Sequence, residues 1–187
     1  VKLAKLRHNV RLLNRKTTLT TDSLNYDRIA NLAYYYTGGK IVDTENTLTS
    51  VWGQYSTATS DALFKQQVKL VNKNFTMDTD SLLYNTKTKI ANIVSPTQIV
   101  YQEETRINSS RGWYNTETER SMMFDRSTVN HKDGKTMVGD TVFYDKKHKY
   151  GEAFTNVELN DTVNKSTLYG DYVFYDENTK NGLATDS

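Results

Sequence analysis

The sequence that decides the predicted fold is Asp80-Ser81-Leu82-Leu83-Tyr84-Asn85-Thr86-Lys87-Thr88-Lys89-Ile90-Ala91. Its first residues alternate as in a β-strand, with Leu82 and Tyr84 on one face. The polar run from Asn85 to Thr88 is typical of a turn that reverses the chain. The stretch therefore predicts a strand, a turn and the start of a returning strand.

The same pattern recurs along the chain at a nearly constant spacing. Three further segments have the form Asp-x-aliphatic-x-Tyr, namely Asp22–Tyr26, Asp140–Tyr144 and Asp171–Tyr175. With two weaker copies, the closing tyrosines are Tyr26, Tyr55, Tyr84, Tyr114, Tyr144 and Tyr175, separated by 29, 29, 30, 30 and 31 residues. Self-similarity of this period is typical of a stacked array. We therefore expect one domain over residues 1–187, built from six two-strand repeats.

The composition favours a thin all-β structure. Only 36 % of the 187 residues are hydrophobic, while 25 % are charged, and no helical apolar period lasts longer than about two turns. Strands are predicted over Ile29 to Tyr36 and Leu48 to Tyr55, with Pro96 at a bulge, turn or edge. No apolar run approaches the roughly 18 residues of a membrane-spanning helix. Because the chain begins at Val1, we expect it to be a mature or trimmed segment.

The repeats resemble those of the OstA-like family, which includes the lipopolysaccharide-transport proteins LptA and LptC and the periplasmic domain of LptD. The resemblance runs from about Leu6 to Ala184 and is carried by three stretches: Leu6 to Tyr26, Phe64 to Tyr84, and Phe154 to Tyr175. Positions before a valine that are usually Gly in the family are Asn9, Gln67 and Asn156 here. These departures indicate a divergent branch.

Membership of this family implies a twisted, partly open antiparallel β-jelly roll. It also implies a non-enzymatic protein in the periplasm or at the outer membrane of a Gram-negative envelope. Such a protein would bind lipopolysaccharide or a related lipid, with the acyl chains in an apolar groove. Other OstA-like proteins, or a second copy, would be partners that add a strand at an open sheet edge.

Alternation along the strands predicts which side chains would line such a groove. The candidates share one face of their strands and are Val10, Leu12, Leu24, Tyr26, Val68, Leu70, Leu82, Tyr84, Val142, Tyr144, Val157, Leu159, Val173 and Tyr175. The residues alone allow a second reading, in which these side chains fill the space between two sheets. We expect packing at the ends of the array and lining in its middle.

The first 21 residues carry six basic side chains and no acid, so the net charge of +2 leaves −4 on the rest of the chain. Candidate contacts to lipid phosphates or another anion are Lys5, Arg7, Arg11, Arg15 and Lys16. The alternative is an edge strand whose charges prevent aggregation. Nucleic-acid binding is disfavoured, because no recognised motif accompanies the basic residues.

Nothing in the sequence predicts an enzyme, a cofactor or a metal site. The chain has no Cys, and His8, His131 and His148 lie far apart without ligand spacing. The acids Asp22, Asp80, Asp140 and Asp171 recur at one repeat position, which indicates a structural role at a turn or strand end. No catalytic motif is present.

A second class of function stays open at this point. A structural or adhesive module would bind protein or glycan on its outer face, through aromatic side chains opposite the tyrosine series. The candidates for that face are Trp52, Trp113, Phe143 and Phe174.

Overall fold

A computed structural model describes residues 2–14 and 16–185, which form 17 strands in antiparallel pairs. The chain divides into two compact units, on either side of Lys89 and Ile90. Unit 1 contains β1 (Leu3–Asn14), β2 (Thr17–Asp27), β3 (Leu32–Tyr35), β4 (Gly39–Val42), β5 (Asn46–Ser50), β6 (Trp52–Ser56), β7 (Asp61–Asn72) and β8 (Phe75–Asn85). The predicted all-β class is confirmed.

Unit 2 repeats this succession of long and short strands. It contains β9 (Ile90–Ile93), β10 (Thr97–Tyr101), β11 (Thr105–Ser109), β12 (Arg111–Asn115), β13 (Arg120–His131), β14 (Lys135–Asp145), β15 (Tyr150–Asp161), β16 (Ser166–Asp176) and β17 (Asn181–Thr185). The expectation of a single domain over residues 1–187 stays a prediction.

Long strands in unit 1 each belong to two sheets. Sheet A comprises residues 3–7, 23–27, 32–35, 52–56, 61–65 and 81–85, and sheet B comprises residues 10–14, 17–21, 39–42, 46–50, 68–72 and 75–79. The short strands fill the middle of each sheet, with β3 against β6 in sheet A and β4 against β5 in sheet B. Each long strand therefore turns a corner, as strands that pass between packed sheets do.

Backbone in the left-handed region produces the corners of four long strands. The two-residue segments are His8 and Asn9, Gln66 and Gln67, Asp125 and Arg126, and Thr155 and Asn156, with φ between 52° and 65°. The strand register shifts at each of them. On the partner strand a single residue lies opposite each segment, and that residue is Asp22, Asp80, Asp140 or Asp171. The recurring acids thus lie at bends in mid-strand, not at the predicted turns or strand ends.

Buried hydroxyl groups cover the inner side of several corners. Ser50 (2.9 Å), Thr79 (3.3 Å) and Ser109 (2.9 Å) each donate to the backbone carbonyl two residues later, while Thr21 donates to the carbonyl of Gly38 (2.7 Å). These residues lie five positions before the closing tyrosines, so they follow the same period. A kinked strand turns carbonyl groups away from the ladder, and buried carbonyls need a donor. The hydroxyls supply that donor at the corner itself.

Turns at the end of each repeat explain why the tyrosines recur. Every closing tyrosine is the penultimate residue of its strand, and the residue after it accepts backbone N–H groups two or three positions later; these acceptors are Asp27, Ser56, Asn85, Asn115, Asp145 and Asp176. Neighbouring turns are joined within unit 1 by Thr57 N–H to Asn31 O (3.0 Å) and Thr86 N–H to Ser60 O (2.9 Å). The turns stack, as repeats of an array do.

The core of each unit lies between two sheets. In unit 2 one sheet comprises residues 90–93, 111–115, 120–124, 141–145, 150–154, 172–176 and 181–185, and the other comprises residues 97–101, 105–109, 127–131, 135–139, 157–161 and 166–170. Fully buried side chains include Leu24, Val68, Met77 and Leu82 in unit 1, and Ile93, Ile99, Tyr101, Ile107, Tyr114, Met123, Val142 and Val157 in unit 2. Burial alternates along the long strands β7 and β8, but the two strands differ at the corner. The parity of the buried positions is kept across the two-residue corner of β7 and changes at the single corner residue of β8. In β8, for example, the buried residues are Met77 and Thr79 before Asp80, and Leu82 after it.

Two predicted strands are shorter than the sequence indicated. Only Leu32–Tyr35 is extended within the range from Ile29 to Tyr36, because Asp27 accepts the N–H groups of Ile29 and Ala30 and holds a turn there. The range from Leu48 to Tyr55 is interrupted at Val51, where β5 in sheet B passes into β6 in sheet A. Pro96 lies between β9 and β10, in agreement with the predicted break.

Unit 2 contains a fully buried carboxylate, Asp145. It accepts hydrogen bonds from Arg120 Nε (2.7 Å) and from the backbone N–H of His148 (3.0 Å), and lies 2.9 Å from His148 Nδ1. Burial alone would raise the pKa of Asp145, but the bonds from His148 and Arg120 outweigh it and lower this pKa below the ordinary value. The charge is thus held by partners in the folded state.

We expect Gln67→Gly to stabilise the protein by about 0.5–1 kcal/mol, because glycine adopts the left-handed backbone at that bulge without the usual steric cost. Thermal and urea unfolding measure the change. The control is Lys69→Gly on the same strand, where the backbone is extended and glycine should destabilise. Equal destabilisation by the two substitutions would contradict this account.

Asp145→Asn is expected to lower the free energy of unfolding at pH 7 by about 1–3 kcal/mol, since it removes charged hydrogen bonds from a buried site. Because the folded pKa lies below the unfolded value of about 3.9, this contribution is present above that value and is lost as the pH falls through the folded pKa. Urea unfolding at several pH values measures it. The control Asp176→Asn, at the equivalent turn, should lower the free energy of unfolding by less. If the difference in this free energy between wild type and D145N persists in acid, the charge of Asp145 is not the source of the stabilisation.

Candidate functional site

Sheets A and B of unit 1 enclose a groove with an internal volume of about 140 Å³. Sheet A and its adjoining turn supply Ala33, Tyr35, Gly53, Gln54, Tyr55, Ala62, Phe64, Tyr84, Thr86 and Lys89, and sheet B with its turns supplies Leu12, Thr17, Leu19, Ile41, Asp43, Asn46, Leu48 and Leu70. The groove is therefore bounded by inner-face side chains of both sheets, from the corner to the strand ends.

Polar groups lie where the groove reaches the strand ends. Asp43 and Asn46 flank the β4–β5 turn on the sheet B side, where Asp43 Oδ1 accepts the backbone N–H of Asn46 (2.7 Å). Thr86 and Lys89 lie in the turn after β8 on the sheet A side. Between them the walls are mostly hydrocarbon, with Leu48, Phe64 and Leu70 buried. An elongated apolar ligand can enter this space and keep a polar group in water.

Tyr35 occupies the corner end of the groove. It lies opposite Gly53 in sheet A, while Gly39 lies opposite Ser50 in sheet B. The Tyr35 hydroxyl is 2.6 Å from Ser50 Oγ, so one hydrogen bond joins the two sheets. Burial raises the pKa of Tyr35, and the bond to Ser50 offsets part of that rise. The phenol is therefore neutral across the physiological range.

Both glycines in this arrangement are required by the aromatic ring. A Cβ atom at Gly39 or at Gly53 would overlap ring atoms of Tyr35. The ring consequently lies against bare backbone in both sheets, and only 2 % of Tyr35 is exposed. No substitution at either glycine can keep the ring where it is.

Three of the predicted lining residues border the groove. They are Leu12, Leu70 and Tyr84. The other unit 1 candidates lie nearby: Leu24 is buried with Leu19, Ala33 and Tyr35, with Val10 and Tyr26 packed against them, and Val68 and Leu82 are buried elsewhere between the sheets. Their role as ligand contacts stays a prediction.

The unit 2 candidates also lie between sheets. Val142, Tyr144, Val157 and Val173 are buried, and Leu159 and Tyr175 are half-buried. Tyr144 donates to Glu177 Oε1 (2.8 Å), and its ring lies 6.0 Å from that of Tyr101, which in turn lies 6.2 Å from that of Tyr114. Burial raises the pKa of all three phenols. Their contacts show packing, and lining by these residues stays a prediction.

Basic residues of β1 point away from the groove. Ala4, Leu6, Val10 and Leu12 face the inner residues of β2, so the intervening Lys5, Arg7 and Arg11 lie on the outer face. Arg7 donates to the carbonyl of Leu24 (3.3 Å) and to Asn25 Oδ1 (3.0 Å). Lys16 is exposed, and Arg15 lies outside the described residues. Their proposed contact with phosphate stays a prediction.

Sequence reasoning missed the groove residues on the short strands β3, β4 and β5 and several on the long strands β2 and β7. The omitted apolar contributors include Leu19, Ala33, Tyr35, Ile41, Leu48, Ala62 and Phe64. Tyr35 falls outside the period of the closing tyrosines, so the repeat gave no reason to select it. A signal was present in Gly39 and Gly53, since glycine within a strand often marks a close approach of another group.

Outer-face aromatic side chains pack against one another in unit 2. The ring of Tyr150 lies 5.8 Å from that of Phe143 and 5.9 Å from that of Phe174. Trp113, like these rings, is half-buried. In unit 1, Trp52 is half-buried with Lys65 Nζ 5.8 Å from its ring. Three of the four predicted outer-face residues, Trp52, Phe143 and Phe174, thus contact other side chains of the chain.

Two further properties of residues 2–14 and 16–185 bear on the function. No group of three or more potential metal-ligating side chains lies together in this part of the chain. None of its segments forms a helix long and apolar enough to cross a bilayer.

These features define the class of protein: an antiparallel β-jelly roll with an apolar groove between its sheets. Residues 1–80 match the profile of the family described as OstA-like protein, which confirms the resemblance inferred from the repeats. A search of curated proteins finds no match.

Solved structures share the fold. One is LptH from Pseudomonas aeruginosa, described as the LptA homologous periplasmic component of the conserved lipopolysaccharide transport device. LptH is 11 % identical to this chain, with a TM-score of 0.50 over 66 % of this chain and 92 % of LptH. The predicted β-jelly-roll class is confirmed by this likeness.

We expect Ser50→Ala to destabilise the protein by about 1–3 kcal/mol, because it removes the partner of the buried Tyr35 hydroxyl. Urea unfolding measures the loss. The control is Ser110→Ala at the corresponding break between β11 and β12, where the side chain is exposed and the change should be below about 0.5 kcal/mol. Equal effects at the two positions would argue against a stabilising bond between the sheets.

Proposed function

We propose that this protein binds lipopolysaccharide or a related lipid and helps to carry it across the periplasm toward the outer membrane. The acyl chains would lie in the groove between sheets A and B. The observation that carries the proposal is the groove itself, which is apolar between its sheets and polar at the strand ends.

The energetics of such a site favour hydrocarbon chains. Burying a methylene group is worth about 0.8 kcal/mol, so a few carbons inside the groove give useful affinity. No compensating hydrogen bond is needed along the walls, where Leu48, Phe64 and Leu70 lie. A sugar or phosphate group would remain at the mouth, near Asn46, Thr86 and Lys89.

The comparisons support the transport role. Residues 1–80 match the OstA-like profile, and these residues include most of the groove. The fold is shared with LptH, a component of a lipopolysaccharide transport device. A periplasmic or outer-membrane-associated location and a role without catalysis belong to the same proposal.

Unit 2 enters the proposal through candidate lining residues of its own. Leu159 and Tyr175 are only half-buried on the inner face, so they are the best candidates there for contact with a ligand. Val142, Tyr144, Val157 and Val173 are buried and would support them from beneath.

Partner binding by strand addition is part of the proposal. Among the described residues, β1 pairs with β2 alone within unit 1, and residues 166–170 of β16 pair with β15 alone within unit 2, because β17 covers only residues 172–176. A second OstA-like protein, or another copy, could add a strand along either edge. The charges Lys5, Arg7 and Arg11 on β1 would restrict which partners do so.

Photo-crosslinking to lipopolysaccharide tests the groove. A photoreactive side chain at Tyr84, which borders the groove, should crosslink strongly; its neighbour Leu83 is on the opposite face of β8, is 38 % exposed and should give only background. The pair Tyr175, on the inner face, and Phe174, on the outer face, makes the same comparison in unit 2. Labelling is read on denaturing gels with an antibody to lipopolysaccharide. Equal labelling of the inner and outer positions in unit 1 would refute the groove as the binding site.

A further inference from the structure

Tyr35 stands out because three residues of unit 1 accommodate its ring or its hydroxyl group. Gly39 and Gly53 leave room for it in two different sheets, and Ser50 meets its hydroxyl at 2.6 Å. A residue that merely filled the core would not need two glycines, since Leu or Val could occupy the corner with ordinary neighbours.

The ring also forms part of the groove wall. Tyr35 and Gly53 both border the groove, whereas Gly39 and Ser50 lie behind the ring. Removing the ring would therefore join its volume to the groove, instead of leaving a closed cavity. The added space would have the shape of a flat six-membered ring between two stretches of glycine backbone.

We propose that Tyr35 sets the cross-section of the groove, so that unit 1 accepts straight hydrocarbon chains and excludes hydrocarbons that end in a ring. This inference rests on the proposed function and adds the selectivity of the same site. The hydrogen bond to Ser50 fixes the ring in place from the facing sheet, so the limit is rigid. Tyr35 determines which ligands fit by the space that its ring occupies. The ligands that fit are unbranched acyl chains.

Variants at this position create a hole that a matching ligand can fill. Tyr35→Ala opens the space between Gly39 and Gly53, and an apolar cavity of this kind stays dry and takes up a benzene ring. Tyr35→Phe keeps the ring and removes only the hydroxyl. Tyr34→Ala is the matched control, because Tyr34 is the neighbouring residue on the opposite face of β3.

The experiment compares dodecanoate with ω-phenyldodecanoate, by isothermal titration calorimetry on the full chain. Wild type, Tyr34→Ala and Tyr35→Phe should prefer dodecanoate. Tyr35→Ala should shift the affinity ratio toward the phenyl acid by about 10- to 100-fold, because burying a phenyl ring contributes that much. Circular dichroism verifies folding, and Tyr35→Leu, a smaller change, should shift the ratio in the same direction if the alanine variant unfolds.

Three outcomes would overturn the inference, and the measurements distinguish them. If wild type binds dodecanoate and the ratio is unchanged in Tyr35→Ala and Tyr35→Leu, Tyr35 does not set the cross-section, while the proposed function stands. If neither wild type nor any variant binds either acid, the groove is not a hydrocarbon site and the proposed function falls with the inference. An equal shift in Tyr34→Ala would also refute the role of Tyr35, since that side chain does not border the groove.

Discussion

The structure depends on a backbone constraint: an antiparallel ladder cannot turn a corner and keep every residue paired. In β1, β7, β13 and β15 the corner is formed by two residues in the left-handed conformation, which lie opposite one residue of the partner strand. Asp80 is that single residue in β8, and the Thr79 hydroxyl donates to the carbonyl of Ser81 on the inner side. Once the corner is fixed, the sheets on its two sides must face each other, and the space between them becomes both core and groove.

The period of about 30 residues could be predicted from the sequence because contacts within each repeat determine it. A tyrosine near the strand end, a short polar side chain that accepts turn N–H groups, and a hydroxyl five residues earlier all act within one repeat. Residues such as Asn85 and Thr79 therefore recur at fixed positions in the sequence. This recurrence predicts repeated strands and turns, and so the all-β class. The inner face was also predictable close to each tyrosine, where alternation is uninterrupted: Leu24, Leu82, Val142 and Val173 are all buried.

The rest of the site could not be predicted, because it depends on pairing between distant strands. The parity of buried positions changes at the single corner residue of a tyrosine-bearing strand such as β8, so alternation counted from that tyrosine fails beyond the bend. Tyr35 meets Gly53, and Gly39 meets Ser50, only through a register of short strands that no local pattern specifies. Val51 illustrates the same limit, since it reads as the middle of a strand and is instead the point where one sheet ends.

An apolar side chain packs in the core where the sheets are close and lines a groove where they are farther apart. Alternation alone therefore could not predict which candidates would pack and which would line the groove. Val68 and Leu70 lie on one face of β7 after its corner, yet Leu70 borders the groove while Val68 does not. What differs is the distance from the corner at residues 66 and 67, where the two sheets meet. Ala33 of β3, Gly53 of β6 and Ala62 of β7 present little bulk to this space, and the ring of Tyr35 only partly fills the room that they leave. The proposed ligand would therefore lie where the sheets have separated and small residues face the interior.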